Sequence, residues 1–192
     1  KRVEVRKVER TKGSVIASLA GGGLAAADKL AQKRDRLAQR REDKLLYTCF
    51  YTLLNLAEDP EIERKMARKG IVPMVLPLLA RESPELRVLG LVFLKKLAIF
   101  KENLPALRKG AVVEVAASML GAASDDVVLS ALRLLFNLSF DSVCRKALAA
   151  SPATVSKLTY MLRKSHHSPL AEGLLYNISA DAEVREMLAA SS

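Results

Sequence analysis

The stretch LRLLFNLSFDSVCRKAL, Leu132–Leu148, reads as an apolar helix carrying one amide, Asn137, then a polar turn at Phe140–Asp141, then a shorter helix. The same frame recurs three more times. Upstream are LLNLAEDPEIERKM, with Asn55, and LKKLAIFKENLPAL, with Lys96; downstream is LLYNISADAEVREML, with Asn177. Positions 55, 96, 137 and 177 lie 41, 41 and 40 residues apart. A fixed period near forty residues is the signature of stacked helical units, each too small to bury its own apolar face. It favours a binding scaffold over an enzyme.

Working outward, each unit resolves into three helices. The long third helix carries the marker residue and is expected over about 45–57, 85–99, 126–139 and 170–179. Asp59, Asp141 and Asp181 follow three of the four markers by four residues, natural N-caps for the next short helix, with Pro60 at its first position. The short helix is expected to end in a left-handed residue at Gly70 and again at Gly110, with Ser151-Pro152 in that place one unit later. IVPMVLPLLA, AVVEVAASML and ATVSKLTYML are equivalent second helices, and Ser83-Pro84, Ser124-Asp125 and Ser165–Pro169 turn the chain into the following long helix. Leu135 and Leu138 are placed on the buried side of the third long helix.

Composition agrees. The 192 residues are 50% hydrophobic and 27% charged, with 5% aromatic residues and no Trp. That mix suits packed helices better than a β-sandwich, where aromatic and β-branched residues are enriched. No apolar run approaches the roughly 20 residues that span a bilayer, and no hydrophobic signal segment follows KRVEVRKVER. Cys49 and Cys144 fall inside apolar helical patterns and are expected as two buried thiols in a reducing compartment.

The charge is uneven. Residues 1–44 hold thirteen Lys/Arg against six Asp/Glu, a net of +7, and residues 45–192 account for the other +3 of the total +10. The chain therefore divides into a basic N-terminal arm, 1–44, and a repeat array, 45–192. Val3, Val5 and Val8 alternate with charges and suggest a short extended segment over 1–13, and Gly21–Gly23 suggest a hinge. No Gly-Lys-Ser/Thr follows, so the glycines are not a nucleotide loop. From Leu24 a helix is expected to run unbroken into the first unit. Its basic face, with Lys33, Arg34, Arg36, Arg40 and Arg41, is either a contact surface for an acidic partner or a solvated face laced with i,i+4 ion pairs.

Catalytic signals are weak. His166-His167 is expected to be a solvent-exposed loop pair without Cys/His partners at zinc spacing. Asp125-Asp126 is more simply a turn and cap than an acid–base pair. No nucleophile elbow occurs. No cofactor and no metal is expected.

A three-helix unit of about 41 residues, with a short first helix ending in Gly and the marker tripeptides NLA, NLS and NIS at Asn55, Asn137 and Asn177, resembles the armadillo repeat. The resemblance covers residues 45–192 and implies an all-α, right-handed superhelical solenoid of about 3.5 units. In armadillo proteins the marker amide lines a concave groove. Here it either ties neighbouring helices or pairs with the backbone of an extended ligand, donating and accepting at once. One turn earlier on the same face are Tyr51, Val92, Arg133 and Gly173. Nuclear import receptors place Trp there, so lysine-rich signal peptides are disfavoured, and Lys96 and Arg133 point to neutral or acidic segments instead. The expected groove residues are thus Tyr51, Asn55, Lys96, Arg133, Asn137 and Asn177.

The wording CFYTLLNLAED, VFLKKLAIFKEN and LRLLFNLSFD further resembles the kinesin-associated protein family, including Lys95-Lys96 where an amide would stand. That resemblance implies the non-motor subunit of heterotrimeric kinesin-II. Its partners would be the motor-subunit tails and cargo adaptors or intraflagellar-transport proteins, with no nucleic acid expected, in cytoplasm, cytoskeleton and cilium or flagellum. A basic-arm module contacting nucleic acid or an anionic surface is the alternative. The array is also expected to continue past Ser192, because Val184, Met187 and Leu188 would otherwise lack a following helix to cover them.

Overall fold

A computed structural model describes the backbone of residues 2–164, 166–180 and 182–190, with side chains at 29–163, 166–180, 182–186 and 189. All regular structure among the described residues is helical. The chain divides into two units, Lys1–Leu45 and Leu46–Ser192, each described by itself. No helix among the described residues is long and apolar enough to cross a membrane.

The first unit is the N-terminal part of α1, which runs Arg2–Leu56. Helical backbone occupies residues 2–13 and passes through Gly21–Gly23, where an extended segment and a hinge were expected. Each glycine costs about 1 kcal/mol of helix stability, but good helix formers flank the trio, with Leu19-Ala20 before and LAAA after. Lys33, Arg34, Arg36, Arg40 and Arg41 are all exposed, as are Leu30, Leu37 and Leu45.

The second unit is a run of three-helix modules. After the end of α1 come α2 (Pro60–Arg68), α3 (Ile71–Leu79) and the long α4 (Pro84–Leu97). The next module has a 3-10 turn at Lys101–Asn103, α5 (Leu104–Lys109), α6 (Val112–Ser118) with a 3-10 turn at Met119–Gly121, and the long α7 (Asp125–Leu138). The third has α8 (Ser142–Ala149), α9 (Pro152–Lys164) and the long α10 (Ser168–Ile178), and α11 (Ala182–Ala190) follows. Long helices pack on one another in order, α4 on α7 and α7 on α10, while α3, α6 and α9 each pack against the long helix of their own module. Leu91, Phe93, Leu94 and Leu97 of α4, Leu132, Leu134, Leu135 and Leu138 of α7, and Leu174 and Ile178 of α10 are all fully buried. Burying each such side chain stabilises by roughly 1.5–3 kcal/mol, so the apolar positions of the repeat are what hold the modules together.

Local signals set the joints. Asp59 caps α2 by accepting from Glu61 N–H at 2.7 Å, and Asp141 caps α8 by accepting from Cys144 N–H at 3.1 Å. The third expected cap, Asp181, lies outside the described residues. Gly70 is left-handed, with φ +73°. Gly110 is not: its φ is −80°, and the left-handed residue is Ala111, with φ 49° and ψ 40°. The repeat explains the shift. Ile71 opens α3 and Val112 opens α6, 41 residues later, so the partner of Gly70 is residue 111. Gly110 answers to space instead, because a Cβ there would stand 2.7 Å from Leu76 Cδ1 and 3.3 Å from the Ala106 carbonyl oxygen. At the other end, Val184 is fully buried on α11, which packs on α8, although it was expected to lack cover. Met187 and Leu188 lie outside the described side chains.

Candidate functional site: the marker stripe and the ties between modules

The marker residues sit near the C-terminal ends of the long helices, and the three that follow an earlier module all reach back to it. Lys96 on α4 forms an ion pair with Glu58, just past the end of α1. Asn137 on α7 donates from Nδ2 to the Lys95 carbonyl oxygen of α4 at 3.2 Å. Asn177 on α10 donates from Nδ2 to Ser139 Oγ, the C-cap of α7, at 2.9 Å. The amide donors of Asn137 and Asn177 thus tie α7 and α10 each to the long helix before it. The amide oxygens of Asn137 and Asn177 take no hydrogen bond among the described residues, so each half-buried amide keeps an acceptor. Asn55, on the first long helix of the array, is exposed.

The rest of the stripe divides by depth. Tyr51 is 48% exposed and stacks on Tyr47, with centroids 5.8 Å apart and planes at 9°. Arg133 is exposed and forms no ion pair among the described residues, whereas Val92 and Gly173 are half-buried. Lys96 differs from its expected role. Its side chain is 18% exposed and engaged by Glu58, so much of its charge is already answered within the chain. A helix end places Glu58 within reach, a proximity that spacing along the chain does not reveal. Leu89 and Ser130, one turn before Val92 and Arg133, are buried, so the accessible stripe ends there.

Several exposed apolar side chains that no sequence motif marks flank the stripe. Ile99 and Phe140 occupy equivalent places three residues after their markers and are 65% and 67% exposed. Phe140 meets Phe136 edge to face at 5.3 Å, and Tyr176 beside Asn177 is 75% exposed. The 41-residue spacing of Ile99 and Phe140 was the available signal.

Other ties join successive modules elsewhere. Buried Asn103 donates to buried Glu63 at 2.6 Å and to the Leu97 carbonyl oxygen at 3.0 Å. Arg108 on α5 grips Asp141 through two bonds, one of them Nε to Oδ1 at 3.1 Å, and Lys146 pairs with Glu183 at 2.6 Å. Burial opposes ionisation of Asp141, but the hydrogen bonds from Arg108 and the Cys144 backbone outweigh it and hold the carboxyl below its usual range. Cys144 beside it is buried, and desolvation together with the Asp141 carboxylate pushes its thiol up to about 12. Cys49, by contrast, is exposed and not buried as expected. It lies on the outward side of the first long helix.

The histidines are also placed differently. His166 is exposed, as expected, but His167 is 6% exposed, and both rings meet Asp125 at the start of α7. Asp125 is the first residue of that helix, with Ser124 as its N-cap. Hydrogen bonds from His167 and then His166 hold its carboxyl below the usual range.

Comparison with known proteins adds two findings. A family profile described as "Kinesin-associated protein (KAP)" matches residues 11–192. Among solved structures, a crystal structure of an engineered protein superposes with a TM-score of 0.66 at 22% identity, over 76% of this chain and 61% of that one. The second likeness is one of fold alone, and this chain spans less than two thirds of that protein.

Proposed function

Since the chain belongs to the kinesin-associated protein family, we propose that it is a non-catalytic adaptor of heterotrimeric kinesin-II, an armadillo-type right-handed solenoid that binds the paired motor tails and links them to cargo for microtubule-based, intraflagellar transport. The observation that carries the reading is the family match over residues 11–192, which takes in the whole array. What supports a groove on the long helices is the chemistry of the stripe. Asn137 and Asn177 keep acceptors for a ligand's backbone N–H groups, Arg133 supplies an exposed cation with no ion pair among the described residues, and Tyr51, Phe140 and Tyr176 supply exposed aromatic surface. Aromatic and Arg side chains are the usual anchors of protein interfaces. Asn55 extends the stripe on the first long helix, and Lys96, tied to Glu58, links the first and second modules within it.

Co-purification with the heterodimeric motor tails tests the adaptor reading, and failure of the folded chain to retain them at stoichiometric ratio would sink it. A second reading rests on the exposure of Lys33, Arg34, Arg36, Arg40 and Arg41 in the arm: contact with a polyanion. Salt separates the two. Phosphate contacts give a log–log slope with salt near −0.9 per contact, roughly, whereas docking on the stripe is far less salt-sensitive.

A further inference from the structure

The chain has two histidines, and both meet one carboxylate. His166 Nε2 lies 3.0 Å from Asp125 Oδ2, and His167 Nε2 lies 2.8 Å from Asp125 Oδ1. The repeat brings them together: Asp125 starts α7, and His166 stands 41 residues later, in the turn before α10. The imidazole rings are 3.9 Å apart and tilted by 47°. One ligand atom from each of the three residues lies within 4.8 Å of the others. We propose that Asp125, His166 and His167 form a binding site for a borderline divalent transition-metal ion, with zinc as the natural occupant.

The donor set selects the ion class. Two imidazole nitrogens and a carboxylate suit Zn2+ and its neighbours, while Ca2+ and Mg2+ prefer all-oxygen shells. Both Nε2 atoms already lie at hydrogen-bond distance from the carboxylate. Ligands about 2.0–2.1 Å from a tetrahedral ion stand roughly 3.3 Å from one another. Drawing the three ligand atoms, now within 4.8 Å of one another, onto such an ion asks for movements of up to about 1.5 Å. His166 and Asp125, whose side chains are 73% and 62% exposed, are free to supply that movement. His167, 6% exposed, is the fixed ligand.

Opposing terms limit the affinity. The N-terminus of α7 carries partial positive charge that disfavours a cation, and Lys157 lines the cavity of about 530 Å³ that His167 and Asp125 share with Leu120, Tyr160 and Met161. Three protein ligands also leave a fourth coordination position to water. The site is accordingly a clip between consecutive modules that adds to a formed array, unlike a closed zinc core without which nothing folds.

The test is a Co2+ titration of the whole chain at neutral pH, read by visible d–d absorption, with Zn2+ as competitor and melting temperature as a second readout. Expected are saturation at one equivalent, displacement by Zn2+ and a raised melting temperature. The double variant Asp125→Asn, His166→Gln keeps hydrogen-bonding capacity and should bind at least about tenfold more weakly. Cys49→Ser, removing an exposed thiol, should bind unchanged. No saturable binding by the folded chain would overturn the site. So would equal affinity in the double variant, or loss of binding in Cys49→Ser.

Discussion

Replacing Ala111 by Gly should stabilise the protein, although alanine is ordinarily the better helix residue. Ala111 holds φ 49° and ψ 40° between α5 and α6. A left-handed conformation costs a residue with a Cβ about 1–2 kcal/mol. Glycine removes that strain but loosens the unfolded chain by about 0.4–1 kcal/mol, leaving a net gain of about 0.5–1 kcal/mol. For a chain of this length that is a rise in melting temperature of about 1–4 °C. Gly110→Ala should move the other way, by about 1 kcal/mol, because the new Cβ starts 2.7 Å from Leu76 Cδ1 and the leucine must swing aside. Gly70→Ala, at φ +73°, should also destabilise. Thermal melts and urea midpoints on the three variants decide the matter. If Ala111→Gly destabilises the protein, residue 111 does not carry the left-handed joint, and the assigned register is wrong.

Three further outcomes follow from the packing and the ties. Leu138→Ala, at a fully buried site on α7, should cost about 2–5 kcal/mol, and Lys33→Ala on the exposed arm under about 0.5 kcal/mol; equal urea midpoints would mean the helix facing is wrong. Asp141 has a folded-state pKa below its unfolded value, so its contribution is present above the unfolded value, near about pH 4, and fades as pH falls through the folded one. Wild type should therefore lose more stability than Asp141→Asn between about pH 5 and about pH 2. The difference should stay under about 1 kcal/mol, since Arg108 is 38% exposed. In thiol labelling at neutral pH, Cys49 should react readily and Cys144 only as the protein unfolds, since the latter is buried with its pKa raised to about 12; prompt modification of Cys144 in the folded chain would contradict the packing of α8.

The repeating frame was legible because its signals are local. A marker every 40 or 41 residues, Asp59 and Asp141 before short helices, and leucines at helical spacing gave the long helices to within about two residues of those observed at Pro84–Leu97 and Asp125–Leu138. What escaped lies mostly one module away in space. Glu58 answers Lys96, the Lys95 carbonyl receives Asn137, and Asp125 gathers both histidines. Each pair is 38 to 42 residues apart, so side-chain reach across a stacked joint, which no spacing rule encodes, decides it. The misplaced left-handed joint has a different origin. Glycine marks that conformation so often that Gly110 masked the period, which points to Ala111. Gly21–Gly23 misled in a similar way, because three glycines weaken a helix without ending it.

The central claim is that this chain holds the kinesin-II motor tails along the stripe of its long helices. Its most direct test is the affinity of the heterodimeric tail, by titration calorimetry, for the original chain and for Lys96→Glu with Arg133→Glu, after circular dichroism and melting have established that the variant is folded. Reversing Lys96 also sets it against Glu58, so a matched control, Lys96→Glu alone, isolates Arg133. Each partly screened charge should be worth about 1 kcal/mol, so the account predicts binding weakened by about fivefold in going from the single to the double variant. A folded double variant that captures the tails with the affinity of the original chain would contradict it.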